Sequence, residues 1–151
     1  MYNKTDKICL LYASDEHLVT ILTSYIYGQT NEENEIVTIF EKDLKNISDK
    51  ILEKMNMKAK KDINWHKTNI NTLNSKLGVN LEGKIIIVYG DNKFVNNVNM
   101  ILDNMNEKFS IINCFSILKT SKSIQQLLEE YSKILTTEGI EEIKKVITCK
   151  I

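Results

Sequence analysis

Arginine and proline are both missing from this chain of 151 residues, and all 20 of its basic side chains are lysine. Without arginine there is no bidentate guanidinium fork to read carboxylates, phosphates or guanine edges. The 20 lysines are balanced by 20 acidic residues, so no basic footprint for nucleic acid exists. Lys58, Lys60 and Lys61 form the one basic cluster, which reads as a solvated helix end where cations are favoured. With abundant asparagine and isoleucine, the composition resembles the coding bias of an AT-rich genome.

Long hydrophobic runs are also missing. Ile8–Ala13 and Ile85–Tyr89 are the longest, far too short to span a bilayer, and the first seven residues lack a signal-peptide core. A cytoplasmic protein without a membrane partner is expected. Cysteine is scarce: Cys9 and Cys114 sit inside apolar runs, where a thiol behaves as a small hydrophobe, and Cys149 lies near the end. No Cys/His spacing suggests a disulfide framework or a metal site.

Catalytic signatures are equally absent. The chain has no GxxxxGK[ST] and no GxGxxG after a strand, which removes the standard loops that cradle phosphates. It has no GxSxG elbow and no HExxH. His17 and His66 are the only histidines, and neither has a partner spacing that makes a triad or a metal site. No catalytic residue, metal or cofactor is assigned.

What the chain does contain is an alternation of apolar segments. Ile8–Ala13, Ile36–Phe40, Ile85–Tyr89 and Phe109–Phe115 read as strands, mostly apolar throughout and so buried on both faces. Lys61–Trp65 is a weaker fifth candidate, and Ile134–Thr136 a short edge strand. Helical spacing fills the gaps. Leu18, Ile21, Leu22, Tyr25 and Ile26 mark a first helix, capped by Ser14 and ended by Gly28. Leu44 to Met55 mark a second, and Ile70, Leu73 and Leu77, stopped by Gly78, a third. Phe94 to Met105, capped by Asp91, mark a fourth, and Ile124 to Tyr131 a fifth. Ile140, Ile143, Val146 and Ile147 suggest a closing helix. Gln29–Asn34 reads as a solvated turn. The pattern predicts one domain over 1–151, with βαβ crossovers, a mainly parallel sheet and helices on both faces.

Open α/β sheets bind ligands outside the carboxyl ends of their strands. Tyr12, Ser14, His17, Gly90 and Asp91 are therefore the candidate ligand-binding residues, and Asp15, Asp43 and Asp91 could converge into an acidic pocket. Each of these acids is more readily explained as a helix N-cap or first-turn residue. His66 beside Trp65 could line a groove or simply be solvated.

In order, Lys7-Ile-Cys-Leu-Leu-Tyr12 with Asp15-Glu16 behind it, Gly28, the strand to Phe40, Val88-Tyr89-Gly90-Asp91, and Cys114 before a leucine-rich helix form a recognisable series. It resembles the MEDS domain, the sensory module of DcmR-type regulators of methanogens and methylotrophs. Lys7 and Tyr131 stand where that family often has histidine, and Phe115-Ser116 where a tyrosine is expected. The resemblance implies a three-layer α/β sandwich, RecA/KaiC-like without a phosphate loop, that senses rather than catalyses. It implies a role in signal transduction or transcription regulation. In that family a helix-turn-helix or histidine kinase usually accompanies the domain. Neither is recognisable here, so the signal is expected to pass by protein–protein contact to a regulatory protein or, as a homodimer, to a second copy.

The expected function is thus a non-enzymatic sensory module binding a small molecule or a protein partner. A degenerate receiver-like domain is the alternative, although Tyr12 and Ala13 occupy the positions where its acid pair would stand. A metal-dependent phosphate-ester hydrolase ranks last.

Overall fold

The computed structural model describes residues 6–28, 35–55, 63–69, 73, 80–118 and 123–144. The elements follow one another as β1 (Asp6–Tyr12), α1 (Asp15–Gly28), β2 (Ile36–Phe40), α2 (Lys45–Lys54), β3 (Ile85–Tyr89), α3 (Asn92–Asp103), β4 (Ser110–Ser116), α4 (Ile124–Glu130), β5 (Lys133–Thr136) and β6 (Gly139–Glu142). They build one sheet in the order β2-β3-β4-β1-β5-β6. All pairings are parallel except the β5–β6 hairpin.

Successive strand residues point to opposite faces, and here both faces are apolar. On one side Leu10, Tyr12, Phe40, Ile87, Tyr89 and Ile112 meet Leu18, Leu22 and Ile26 of α1, with Ile47 and Ile51 of α2 packed against them. On the other, Cys9, Ile39, Ile86, Val88, Ile111 and Phe115 meet Val95, Val98 and Leu102 of α3 and Leu127 of α4. The continuous apolar runs therefore make a three-layer α/β sandwich, as the alternation implies.

Ser14 and Asp91 cap α1 and α3: the Ser14 hydroxyl accepts from the His17 amide at 3.1 Å, and Asp91 from the Phe94 amide at 2.8 Å. α4 carries a full capping box, in which Ser123 Oγ accepts from the Gln126 amide and the Gln126 side chain accepts from the Ser123 amide.

Three expectations need correction. Ile140 belongs to strand β6, not to a closing helix, and helical backbone begins only at Ile143. Gly139, at φ +112, supplies the left-handed backbone that lets the chain reverse after Thr136, and a helix cannot run through it. Consequently β5 is an inner strand and β6 the edge. Residues 63–65 form no strand; instead the 63–69 segment covers the outer side of β2. Thr38 Oγ1 donates to the Asn64 carbonyl (2.5 Å), the Thr68 amide donates to the Phe40 carbonyl (2.9 Å), and the Phe40 amide donates to Thr68 Oγ1 (3.0 Å). The expected third helix lies outside the described residues except for Leu73, which is helical and packs against the α3-side core. The Lys58–Lys61 cluster, the Gln29–Asn34 turn and Cys149 also lie outside them.

Candidate functional site

The chain leaves β1 and β2 toward the α1–α2 face, and β3 and β4 toward the α3–α4 face. Where strand ends splay to opposite faces, a crevice opens at the carboxyl edge of the sheet. A cleft of about 420 Å³ lies there, lined by residues from the ends of all four strands.

Two tyrosines form its aromatic floor: the Tyr12 and Tyr89 rings line it and pack 5.8 Å apart. Behind them, in the core and outside the cleft, Phe40 meets Tyr89 edge-on at 5.9 Å and Trp65 lies 6.1 Å beyond Phe40. Its rim is acidic: Asp15, Glu41 and Asp91 line it, with Lys42 as the one cation among the described lining residues. Each carboxylate already has a partner. Tyr89 Oη donates to Asp15 Oδ1 at 2.7 Å, the Asp91 amide to Glu41 Oε1 at 2.8 Å, and the Phe94 amide to Asp91 Oδ1 at 2.8 Å. Burial, the hydrogen bond to Asp15 and the surrounding negative charge push the Tyr89 phenol well above its ordinary range. Burial does the same to Tyr12. Both phenols are thus neutral at any physiological pH.

Four of the five candidate residues meet in this cleft: Tyr12, Ser14, Gly90 and Asp91. His17 does not line it. Its Nδ1 accepts from the Ala13 amide at 2.9 Å, while its own amide is bound by the Ser14 hydroxyl. Ser14 and His17 thus meet as a helix cap, with the imidazole spent on backbone.

Asp43 also stays outside. It turns to the exposed His66 ring, 2.9 Å away, and to the Lys45 amide, and these bonds hold its carboxyl below the ordinary range. Trp65 is buried in the α1-side core, so the Trp65–His66 pair splits into a core residue and a solvated one. Glu41 takes the place expected of Asp43. Its proximity to Gly90 depends on the β2–β3 register, which pairs Phe40 with Tyr89 and has no local sequence signal.

The β1–α1 turn consists of Ala13 and Ser14 alone, followed by two acids in the first helical turn. Such a turn is too short to wrap a phosphate, and its charge repels one. Among the described residues, no group of three or more His, Cys, Asp or Glu side chains is placed to hold a metal ion. Cys9 and Cys114 are fully buried core thiols on opposite faces of the sheet, and burial raises Cys9 to about 12. Lys7 and Tyr131, at the positions the MEDS resemblance marks, find other partners: Lys7 pairs with Asp103 at 3.1 Å and Tyr131 accepts from Asn113. Among the described residues no helix is long and apolar enough to cross a membrane. No protein family, curated protein or solved structure matches this chain.

Proposed function

We propose that this chain is a cytoplasmic, non-enzymatic sensory or regulatory module of MEDS-like, RecA/KaiC-like type. It binds a small, neutral or cationic molecule in the strand-end cleft and signals through protein contact. The observation that carries this reading is a cleft at the switch point of the sheet whose three carboxylates already have partners. They brace the Tyr89 phenol and two backbone amides rather than a reacting centre, so the cleft offers shape and charge for binding but no poised nucleophile. Aromatic floors with acidic rims suit flat or cationic ligands, because ring faces and carboxylates both attract positive charge.

Protein contact is supported by two apolar side chains just past β4. Leu118 is 82% exposed at the rim of the cleft, and Ile117 beside it is 54% exposed. Ligand seated in the cleft would touch the same loop that presents them.

The test is thermal unfolding across a panel of cationic and neutral metabolites, with pull-downs repeated using Leu118→Lys. At a hundredfold excess over Kd, a ligand should stabilise by about 2.7 kcal/mol. No stabilisation by any panel member, together with identical capture by wild type and Leu118→Lys, would discard the reading.

A further inference from the structure

A second cleft, of about 520 Å³, opens on the α3 side of the sheet, away from the strand ends. Its floor is a polar network set into an otherwise apolar layer: Asn99 of α3, Asn113 of β4 and Tyr131 just after α4. Asn113 is only 1% exposed, and a buried amide is tolerated only where its groups are satisfied.

The hydrogen-bond directions in this network follow from one fixed point. An Asn99 side-chain atom sits 2.8 Å from the Val95 carbonyl, which can only accept, so that atom is the amide nitrogen. Its second hydrogen goes to Asn113 Oδ1 at 2.8 Å. Asn113 is thereby oriented too. Its Nδ2 returns one hydrogen to Asn99 Oδ1 at 3.0 Å and gives the other to Tyr131 Oη at 2.8 Å. Every amide hydrogen of the pair is spent, and Tyr131 receives rather than gives.

The Tyr131 O–H is left over. Among the described residues nothing accepts it, and accepting from Asn113 polarises it as a donor. Burial holds the phenol above its ordinary range, so the proton stays on. At the rim, Lys7 is already matched by Asp103, so its charge is spent rather than offered to an anion. Val95 and Met100 supply apolar wall.

We propose that this cleft binds a small neutral molecule through a carbonyl or amide oxygen that accepts the Tyr131 O–H, with its apolar body against Val95 and Met100. The site is separate from the strand-end cleft and does not depend on the function proposed for it.

Benzamide is a suitable probe, titrated into nitrogen-15-labelled full chain and followed by NMR at the side-chain amides of Asn99 and Asn113. Saturable shifts of both are expected, with benzoate and the Tyr131→Phe variant each binding about tenfold more weakly, the loss of roughly one hydrogen bond. Met100→Trp alters a rim residue that is 67% exposed and removes no buried hydrogen bond. It should block the shifts even if Tyr131→Phe fails to fold. The proposal is overturned if the amides show no saturable response, if shifts are confined to Gly90 and Asp91, if benzoate binds as well as benzamide, or if Met100→Trp takes up the probe like wild type.

Discussion

Gly90 shows how much a single missing side chain can matter to a cleft. A Cβ built there would lie 2.5 Å from Phe94 Cδ2 and 2.9 Å from Glu41 Cβ, closer than packed carbons approach. Its hydrogen atom lets Glu41 reach the Asp91 amide and lets α3 start directly behind β3. Gly90→Ala should therefore cost about 1–3 kcal/mol by overpacking, read as a lower urea midpoint. An unchanged midpoint would mean that Phe94 and Glu41 move aside freely. The glycine and the capping Asp91 were legible in the sequence because strand-end positions can be named from the strand alone. Tyr89 and Asp15, 74 residues apart, could not be paired that way, since only the sheet order brings β1 and β3 ends together. The Asn99–Asn113–Tyr131 network left one faint signal, an amide in the middle of the apolar run Ile111–Phe115 and another four residues after Val95 on the apolar side of α3.

At the scale of elements, short pieces depend on their ends. α4 has only seven residues, too few to persist without help, and its capping box supplies that help. Ser123→Ala should cost about 1 kcal/mol and loosen Leu127 and Tyr131 with it, measurable as faster hydrogen exchange across α4. Exchange unaltered there would show that packing alone holds the helix. The Ser-x-x-Gln spacing that makes the box is local and stands in the sequence itself. Apolar periodicity is ambiguous at Ile140 and Ile143, whose spacing suits either a helix or a strand with a helix behind it; Gly139, at φ +112, decides for the strand. Strand β2 is an edge that the 63–69 segment screens, and Thr68 does most of the screening through its amide and hydroxyl. Thr68→Val keeps the shape but leaves the Phe40 amide unpaired in a buried place, which should cost about 1–3 kcal/mol and promote aggregation along the edge. Light scattering and a melting curve no different from wild type would refute that role.

At the scale of the whole molecule, Cys9, Cys114, Tyr12, Tyr89 and Tyr131 share one feature: burial keeps each of them protonated. Burial raises Cys9 from 9.0 to about 12 and pushes Cys114, Tyr12, Tyr89 and Tyr131 higher than their ordinary values. In the unfolded chain the thiols release protons near pH 9 and the phenols near pH 10, while the folded chain holds them. A raised folded-state value gives stability that is complete below the unfolded value and is lost as pH climbs through the gap between the two. The protein should thus be insensitive to pH from these groups up to about pH 8.5, then lose stability steeply. Each group contributes a slope of at most about 1.4 kcal/mol per pH unit, and several acting together should exceed a one-proton slope. Trp65, the single tryptophan and only 2% exposed, reports unfolding by fluorescence. Urea midpoints at pH 8 and pH 10.5 that coincide would show that the core admits the anions. Replacing Cys9 and Cys114 with alanine separates the contributions, because it should remove the part of the loss that begins near pH 9 and leave the phenol-driven part above pH 10.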